Sequence, residues 1–280
     1  RSDTGLHSND NLTANGTIDV ALAEDAVNWQ YTLDGGSTWS HKESAGVSYF
    51  EIPEGTYGPG KIMIKQANVA DISFVGYVNP DAITIDSTAP VARLAFSAKA
   101  GAELNENTGI TNQRSFGLSL DYGAGIAPKA VFQQKFGESS WIDLVDSDLE
   151  NLADGSYLYR AKLVDDAGNI GYTNQIGILI DSTAPSLTIT DDEDGISTIA
   201  GGDVLYTFAF SEAIAAGSFT SADITITNGT ASGALTAINA KTFTMAITPK
   251  PGHEGTMTVG VATGVATDLA GNANLAFDAD

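Results

Sequence analysis

Two five-residue loops and two eight-residue segments hold most of the residues of this chain that could do chemistry. Asp165-Asp166-Ala167-Gly168-Asn169 is echoed by Asp268-Leu269-Ala270-Gly271-Asn272. Ile83-Thr84-Ile85-Asp86-Ser87-Thr88-Ala89-Pro90 returns as Ile178-Leu179-Ile180-Asp181-Ser182-Thr183-Ala184-Pro185, which sets Asp86 and Asp181 95 positions apart. Carboxylate and amide oxygens are the hard ligands that Ca²⁺ takes in sets of six to eight, with backbone carbonyls and water completing the shell. Zinc is a poor fit, because the chain has no cysteine and His7, His41 and His253 are isolated from one another. The same Asp, Gly and Asn residues also suit a tight turn for backbone reasons alone, and at this stage both readings stand. Catalytic patterns do not emerge. No Ser/His/Asp or cysteine constellation is marked out, and the 35 acidic residues supply many carboxylate pairs without singling out two of them for glycosidase chemistry.

The elements that must position these oxygens follow from the repeat. Asp34-Gly35-Gly36-Ser37-Thr38-Trp39 resembles Phe136-Gly137-Glu138-Ser139-Ser140-Trp141, and Pro53-Glu54-Gly55-Thr56-Tyr57 resembles Ala153-Asp154-Gly155-Ser156-Tyr157. The echoes keep their order and define units of about 1–86, 87–181 and 182–280. Within a unit apolar residues recur with period two, as in Ile18, Val20, Leu22, in Ile176, Ile178, Ile180 and in Val204, Tyr206, Phe208, Phe210. That is the signature of strands with one buried face. Turn formers such as Asp34-Gly35-Gly36, Asn228-Gly229 and Pro251-Gly252 separate them. About seven strands per unit predict an all-β protein: three tandem immunoglobulin-like Greek-key β-sandwich domains in an extended array, without the disulfide.

In such a sandwich the F–G and B–C loops lie where the chain enters and the A–B and E–F loops where it leaves. Spacing then becomes geometry. Asp121, Asp165, Asp166 and Asn169 should meet Asp86 at the first joint, and Glu212, Asp268 and Asn272 should meet Asp181 at the second. The preceding unit can add Asp3, Asn9 and Asp10 at the first joint and Glu103, Asn105 and Asn107 at the second. Asp191-Asp192-Glu193-Asp194-Gly195 is either an incomplete site of the same kind or a solvated acidic loop. Pro90 and Pro185 restrict the backbone just past each linker aspartate and suit a short stiff joint.

Composition sets the outer limits. With 13 Lys and Arg against 35 Asp and Glu the formal charge is −22, which repels nucleic acid and anionic lipid alike. No apolar run is long enough to insert in a membrane. Arg1 opens the chain mid-pattern, so an excised fragment is expected.

Several motifs then point to a family. Asp3-Thr4-Gly5, Asn15-Gly16-Thr17, Trp29-Gln30-Tyr31, Asp34-Gly35-Gly36-Ser37-Thr38-Trp39 and Asp86-Ser87-Thr88-Ala89-Pro90 resemble the bacterial Ig-like repeats of giant RTX, BapA and LapA-type surface adhesins. The third unit looks like a related subtype through Phe210-Ser211-Glu212-Ala213, Ser221-Ala222-Asp223-Ile224-Thr225 and Gly255-Thr256-Met257-Thr258-Val259. The resemblance implies a non-enzymatic extender, secreted to the bacterial cell surface, monomeric, partnered by neighbouring repeats and binding Ca²⁺ at its junctions. Its work would be to project a cell-adhesion or biofilm module. The first unit departs from the pattern, with Asn68-Val69-Ala70-Asp71 where the others have Asp-x-Ala-Gly-Asn. Two other readings remain: a module that binds glycan or protein through its loops or through Trp29, Trp39 and Trp141, and accessory sandwiches of a secreted polysaccharide hydrolase. On strands and hairpins those tryptophans also suit core and cross-strand packing.

Overall fold

Alternation of burial decides the elements. In the strand Gly155–Val164 the side chains of Tyr157, Tyr159, Ala161 and Leu163 are buried and the residues between them are not. Val204–Phe210 repeats the rule with Val204, Tyr206, Phe208 and Phe210 inward. The computed structural model describes residues 10–70, 73–97, 109–124, 127–193 and 202–277. Among these residues the chain is all-β, with one 3₁₀ turn at Ser221–Asp223.

Every strand pairing among the described residues stays within one of the three units. In the second unit Arg93–Ser97, Phe116–Asp121 and Asp148–Leu149 form one sheet. The other runs Ile110–Thr111, Ile176–Ile180, Gly155–Val164, Lys129–Phe136, Ile142–Asp143. The first unit matches it, with Ala26–Thr32 and Met63–Asn68 at the centre of a four-stranded sheet. In both units the final strand is split, into Ser73–Val78 and Ile83–Ile85 or into Ile170–Tyr172 and Ile176–Ile180, and with the two-residue strands Leu12–Thr13 and Ile110–Thr111 this brings the described segments to nine where about seven are expected. The third unit has seven. Its Asn228-Gly229 is not a hairpin turn: Ile224–Thr227 pairs with Thr258–Val261 while Gly229–Ala231 pairs with Thr242–Pro249, so the chain changes sheets there.

Each unit buries its own core. Trp29, Phe50, Ile62 and Ile85 gather in the first, Leu94, Phe116, Tyr159 and Ile180 in the second, Phe208, Phe219, Met245 and Ile247 in the third. Fully burying one such side chain stabilises the fold by about 1.5–3 kcal/mol, so the nine, eight and twelve buried residues of the three core clusters replace the missing disulfide. The E–F corners are pinned alike. The Tyr57 hydroxyl donates to the Pro53 carbonyl and that of Tyr157 to the Ala153 carbonyl, each at 3.0 Å. Gly55, Gly155 and Gly255 follow with φ of 144°, 143° and 152°, a region open to glycine. These corners carry the chain back towards the joint.

Candidate metal centre at the interdomain joints

The loop Asp165–Asn169 is a closed turn. The Asn169 amide donates to Asp165 Oδ1 at 2.8 Å and its side chain to Oδ2 at 3.0 Å, while the Asp165 amide donates to the Asn169 carbonyl at 3.2 Å. The loop Asp268–Asn272 is built the same way, with 2.8 Å for both side-chain contacts and 3.0 Å for the backbone bond. This closure frees one Asn donor hydrogen to point at the entering linker. Asn169 Nδ2 donates to the Asp86 carbonyl at 2.7 Å, and Asn272 Nδ2 to the Asp181 carbonyl at 2.8 Å. A second bond crosses each joint. The Ala14 amide donates to the Ala167 carbonyl and the Asn112 amide to the Ala270 carbonyl, both at 3.1 Å. Ala14 and Asn112 directly follow Leu12–Thr13 and Ile110–Thr111, the two strands that pair in parallel with the last strand of their own units.

The linkers are gripped from behind as well. Ser87 Oγ donates to Glu54 at 2.7 Å and Thr88 Oγ1 at 3.0 Å, and Ser182 Oγ donates to Asp154 at 2.7 Å. The serine and threonine hydroxyls hold the Glu54 carboxyl below the ordinary glutamate value, and the Ser182 bonds do the same for Asp154. Sequence reasoning missed both acids as joint residues. The signal was present: the echo of Pro53-Glu54-Gly55 in Ala153-Asp154-Gly155 preserves an acid at one place. Ala14 and Asn112 act through backbone amides and have no side-chain signature.

The two joints differ in charge. At the second, ligand oxygens of Asp181, Glu212 and Asp268 lie within 4.8 Å of one another, the one group of its kind among the described residues. Asp268 is 2% exposed, and Ala270 N, Asn272 N and Asn272 Nδ2 occupy three acceptor positions of its carboxylate. Asp181 Oδ1 accepts from the Thr183 amide at 3.0 Å. Desolvation pushes the Glu212 carboxyl up from its ordinary range, the Asp181 and Asp268 charges push it further, and Lys241 offsets part of the rise. An oxygen-only donor set with mutually repelling carboxylates fits a hard divalent cation such as Ca²⁺. Asp181, Glu212 and Asp268 are the residues that would hold it.

At the first joint the geometry is shared but the carboxylates are not gathered. Asp86 Oδ1 accepts from the Thr88 amide and Asp165 is engaged by Asn169. Asp121 is exposed and accepts from the Gly123 amide at 2.9 Å, closing its own turn. Asp166 is exposed beside Asp165. Asp10 likewise closes a local turn onto Leu12, as Asp191 does onto Glu193 and Asn68 onto Ala70. Asp3, Asn9, Asp71, Glu103, Asn105, Asn107, Asp194, Gly195 and His7 lie outside the described residues.

The tryptophans divide. Trp29 is fully buried and donates to the Val47 carbonyl at 2.8 Å. Trp39 lies under Lys65 Nζ at 4.1 Å and Trp141 under the Arg160 guanidinium at 4.3 Å, both on the outer face of a sheet.

Residues 181–279 match the family model described as bacterial Ig-like domain. Among curated proteins none matches the chain. Of solved structures, the chain is similar to a tetra-tandem repeat in the extending region of a large adhesion protein, at 17% identity and a TM-score of 0.31, covering 95% of this chain and 69% of that one. A segment of a 1.5-MDa bacterial ice-binding adhesin gives 14% identity and a TM-score of 0.29, with 93% and 88% covered. The FN1–FN3 domains of chicken CNTN1 give 11% identity and a TM-score of 0.25, with 96% and 98% covered.

Proposed function

We propose, from the match of residues 181–279 to the bacterial Ig-like domain model, that the chain is a non-enzymatic spacer of a bacterial surface adhesin whose joints are made stiff. The observation that carries this reading is the duplication of the joint. The same Asn-to-linker bond and the same backbone bond occur at Asp86 and at Asp181, so successive units meet in one repeated way. A linker clasped by Glu54 or Asp154 behind and by Asn169 or Asn272 ahead has little freedom left. Its rotation would cost the bonds on one side, each worth about 0.5–1.5 kcal/mol net.

Ca²⁺ completes the reading at the second joint. Bound there, the ion would neutralise three carboxylates that otherwise repel. Asp181 belongs to the linker and Asp268 and Glu212 to the following unit, so holding all three together fixes the linker against that unit. A site with a dissociation constant of roughly 10⁻⁴ to 10⁻³ M, typical of extracellular modules, fills outside the cell and empties in cytosol. At about a hundredfold excess over that constant the ion adds about 2.7 kcal/mol to the native state. Export to the cell surface would then tighten the segment, which would hold an adhesive or biofilm module away from the cell.

Small-angle X-ray scattering of the chain in millimolar calcium and in chelator, with the thermal midpoint of each sample, tests this. Three sandwiches in series give a maximum dimension on the order of 100 Å, from strands of about seven residues at roughly 3.3 Å each plus loops. The expected result is a rod whose joint flexibility rises and whose midpoint falls in chelator. A compact particle indifferent to calcium would overturn both the spacer and the ion.

A further inference from the structure

The outer face of the larger sheet of the second unit breaks the charge rule of the whole chain. One residue in eight is acidic overall, yet the strands Lys129–Phe136, Gly155–Val164, Ile170–Tyr172 and Ile176–Ile180 contain no carboxylate. They carry instead Lys129, Lys135, Arg160 and Lys162, four of the 13 cations. Tyr157, Tyr159, Ala161 and Leu163 point into the core, so Arg160 and Lys162 point outward. Phe132 packs against the same core, which turns Gln133 and, by period two, Lys129 and Lys135 to the outer face. Charges facing them are few: Glu138 meets Lys135 at 3.7 Å, and Asp143, on the edge strand, accepts from Gln133 at 2.7 Å.

Arg160 is the fixed point of this face. Its guanidinium lies 4.3 Å from the Trp141 ring centroid and 4.4 Å from that of Tyr172, and its Nε donates to Gln133 Oε1 at 2.8 Å. No described residue accepts from its Nη atoms, so a pre-oriented fork of donors remains, the geometry that suits a carboxylate or sulfate. Tyr172 is 50% exposed, Ile170 52% and Leu179 40%, which adds apolar surface beside the cations. The fold does not require this arrangement. The matching strands of the first unit, Ala26–Thr32 and Met63–Asn68, carry Lys65 alone, and Ile224–Thr227 and Thr258–Val261, the corresponding pair in the third, carry no cation.

We propose that this face binds an acidic polysaccharide, with Arg160 as its anchor and Lys129, Lys135 and Lys162 as flanking charges. Charge complementarity selects a polyanion. Size selects an extended chain over a folded protein: three strand rows, with Ile170–Tyr172 and Ile176–Ile180 sharing the row beside Gly155–Val164, about 4.8 Å apart and about eight residues long, present on the order of 400 Å², below the roughly 800 Å² per partner of a stable protein interface. The surrounding acidic surface is screened beyond about 8 Å at physiological salt, so the local cations decide.

The test uses the full chain in chelator, where calcium cannot bridge carboxylates, titrated calorimetrically with polygalacturonate, dextran sulfate and uncharged dextran at 50 and 200 mM NaCl. At least one anionic polymer should bind, more weakly at the higher salt, and dextran should not. The polymer that binds tells carboxylate from sulfate as the anion recognised. The Arg160→Gln/Lys162→Gln pair should lose at least tenfold in affinity with its thermal midpoint kept, and Arg160→Lys should fall between. If the first pair misfolds, Lys129→Gln/Lys135→Gln serves on the same face. Binding by neither anionic polymer, equal binding of dextran, or affinity unchanged in the folded variants overturns the proposal. So does a dimer in sedimentation that Arg160→Gln/Lys162→Gln dissolves, since the face would then belong to a second copy.

Discussion

The side-chain amide of Asn272 donates to the backbone carbonyl of Asp181 at 2.8 Å, across 91 residues of sequence. The same donor hydrogen-bonds Asp268 Oδ2, so one asparagine ties the loop to itself and to the linker. A carbonyl is an acceptor whatever residue bears it. The bond therefore reads the path of the linker backbone rather than the identity of the side chain at position 181.

Replacing Asn272 by alanine should cost about 1–2 kcal/mol, the worth of two part-buried hydrogen bonds, with no change in the strands. The distinguishing readout is amide relaxation across residues 181–184. Faster motion there with cores intact places the asparagine in the joint, and Asn169→Ala should behave alike at residues 86–89. Linker amides as rigid as before would mean that Asp154 and Glu54 suffice to hold the chain.

Glu212→Gln should act in opposite directions with and without calcium. In chelator it removes a charge placed among Asp181 and Asp268, and stability should rise on the order of 1 kcal/mol, as for other optimised charges. In millimolar calcium it removes a ligand, and the calcium-induced gain in thermal midpoint should shrink by more than half. A loss of stability in both conditions would assign Glu212 a packing role only.

Stability against pH follows from the shifts with their signs. Glu212 has a folded-state value raised above its ordinary 4.5, so the native state binds the proton more tightly and, in chelator, stability should increase as pH falls from neutral towards 4.5. Asp34, Glu54, Asp154 and Asp203 are lowered by hydroxyl hydrogen bonds. Their contributions are present above their ordinary values and should be lost as pH falls below about 4. Urea midpoints from pH 8 to 3 should therefore pass through a maximum near pH 5 in chelator and lack the rise in calcium. A monotonic decline from neutral pH in chelator would contradict the crowding of Glu212.

The sequence made the strands legible because period two is written in side chains, as at Val204 to Phe210, and it made the loops legible because Asp268 and Asn272 recur as Asp165 and Asn169. Three features lay beyond it. Asp121 follows its strand into a turn closed by Gly123, and no spacing reveals that curvature. Ala14 and Asn112 cross the joints with backbone amides, which every non-proline residue possesses. The cations of the second unit sit on strands paired Gln133 to Arg160 and Val131 to Lys162, and a net charge of −22 averages such a face away.

Gly171→Ala should be among the most damaging single-methyl changes in the chain. A Cβ at Gly171 would stand 2.0 Å from the Pro90 carbonyl oxygen and 3.1 Å from its carbon, and backbone cannot step aside as a side chain can. Pro90 ends the linker whose Ser87 and Thr88 are held by Glu54, while Tyr172 beside Gly171 stacks on Arg160. Overpacking here should cost about 1–3 kcal/mol or more and loosen the first joint. Gly177→Ala is the control, because its Cβ would meet the end of the Leu158 side chain at 3.0 Å, which can turn away. Urea denaturation should separate the two variants by at least 1 kcal/mol, a gap that overpacking against fixed backbone opens readily. Equal midpoints would show that Pro90 shifts freely, and the first joint would then not be the clamped linker that its hydrogen bonds describe.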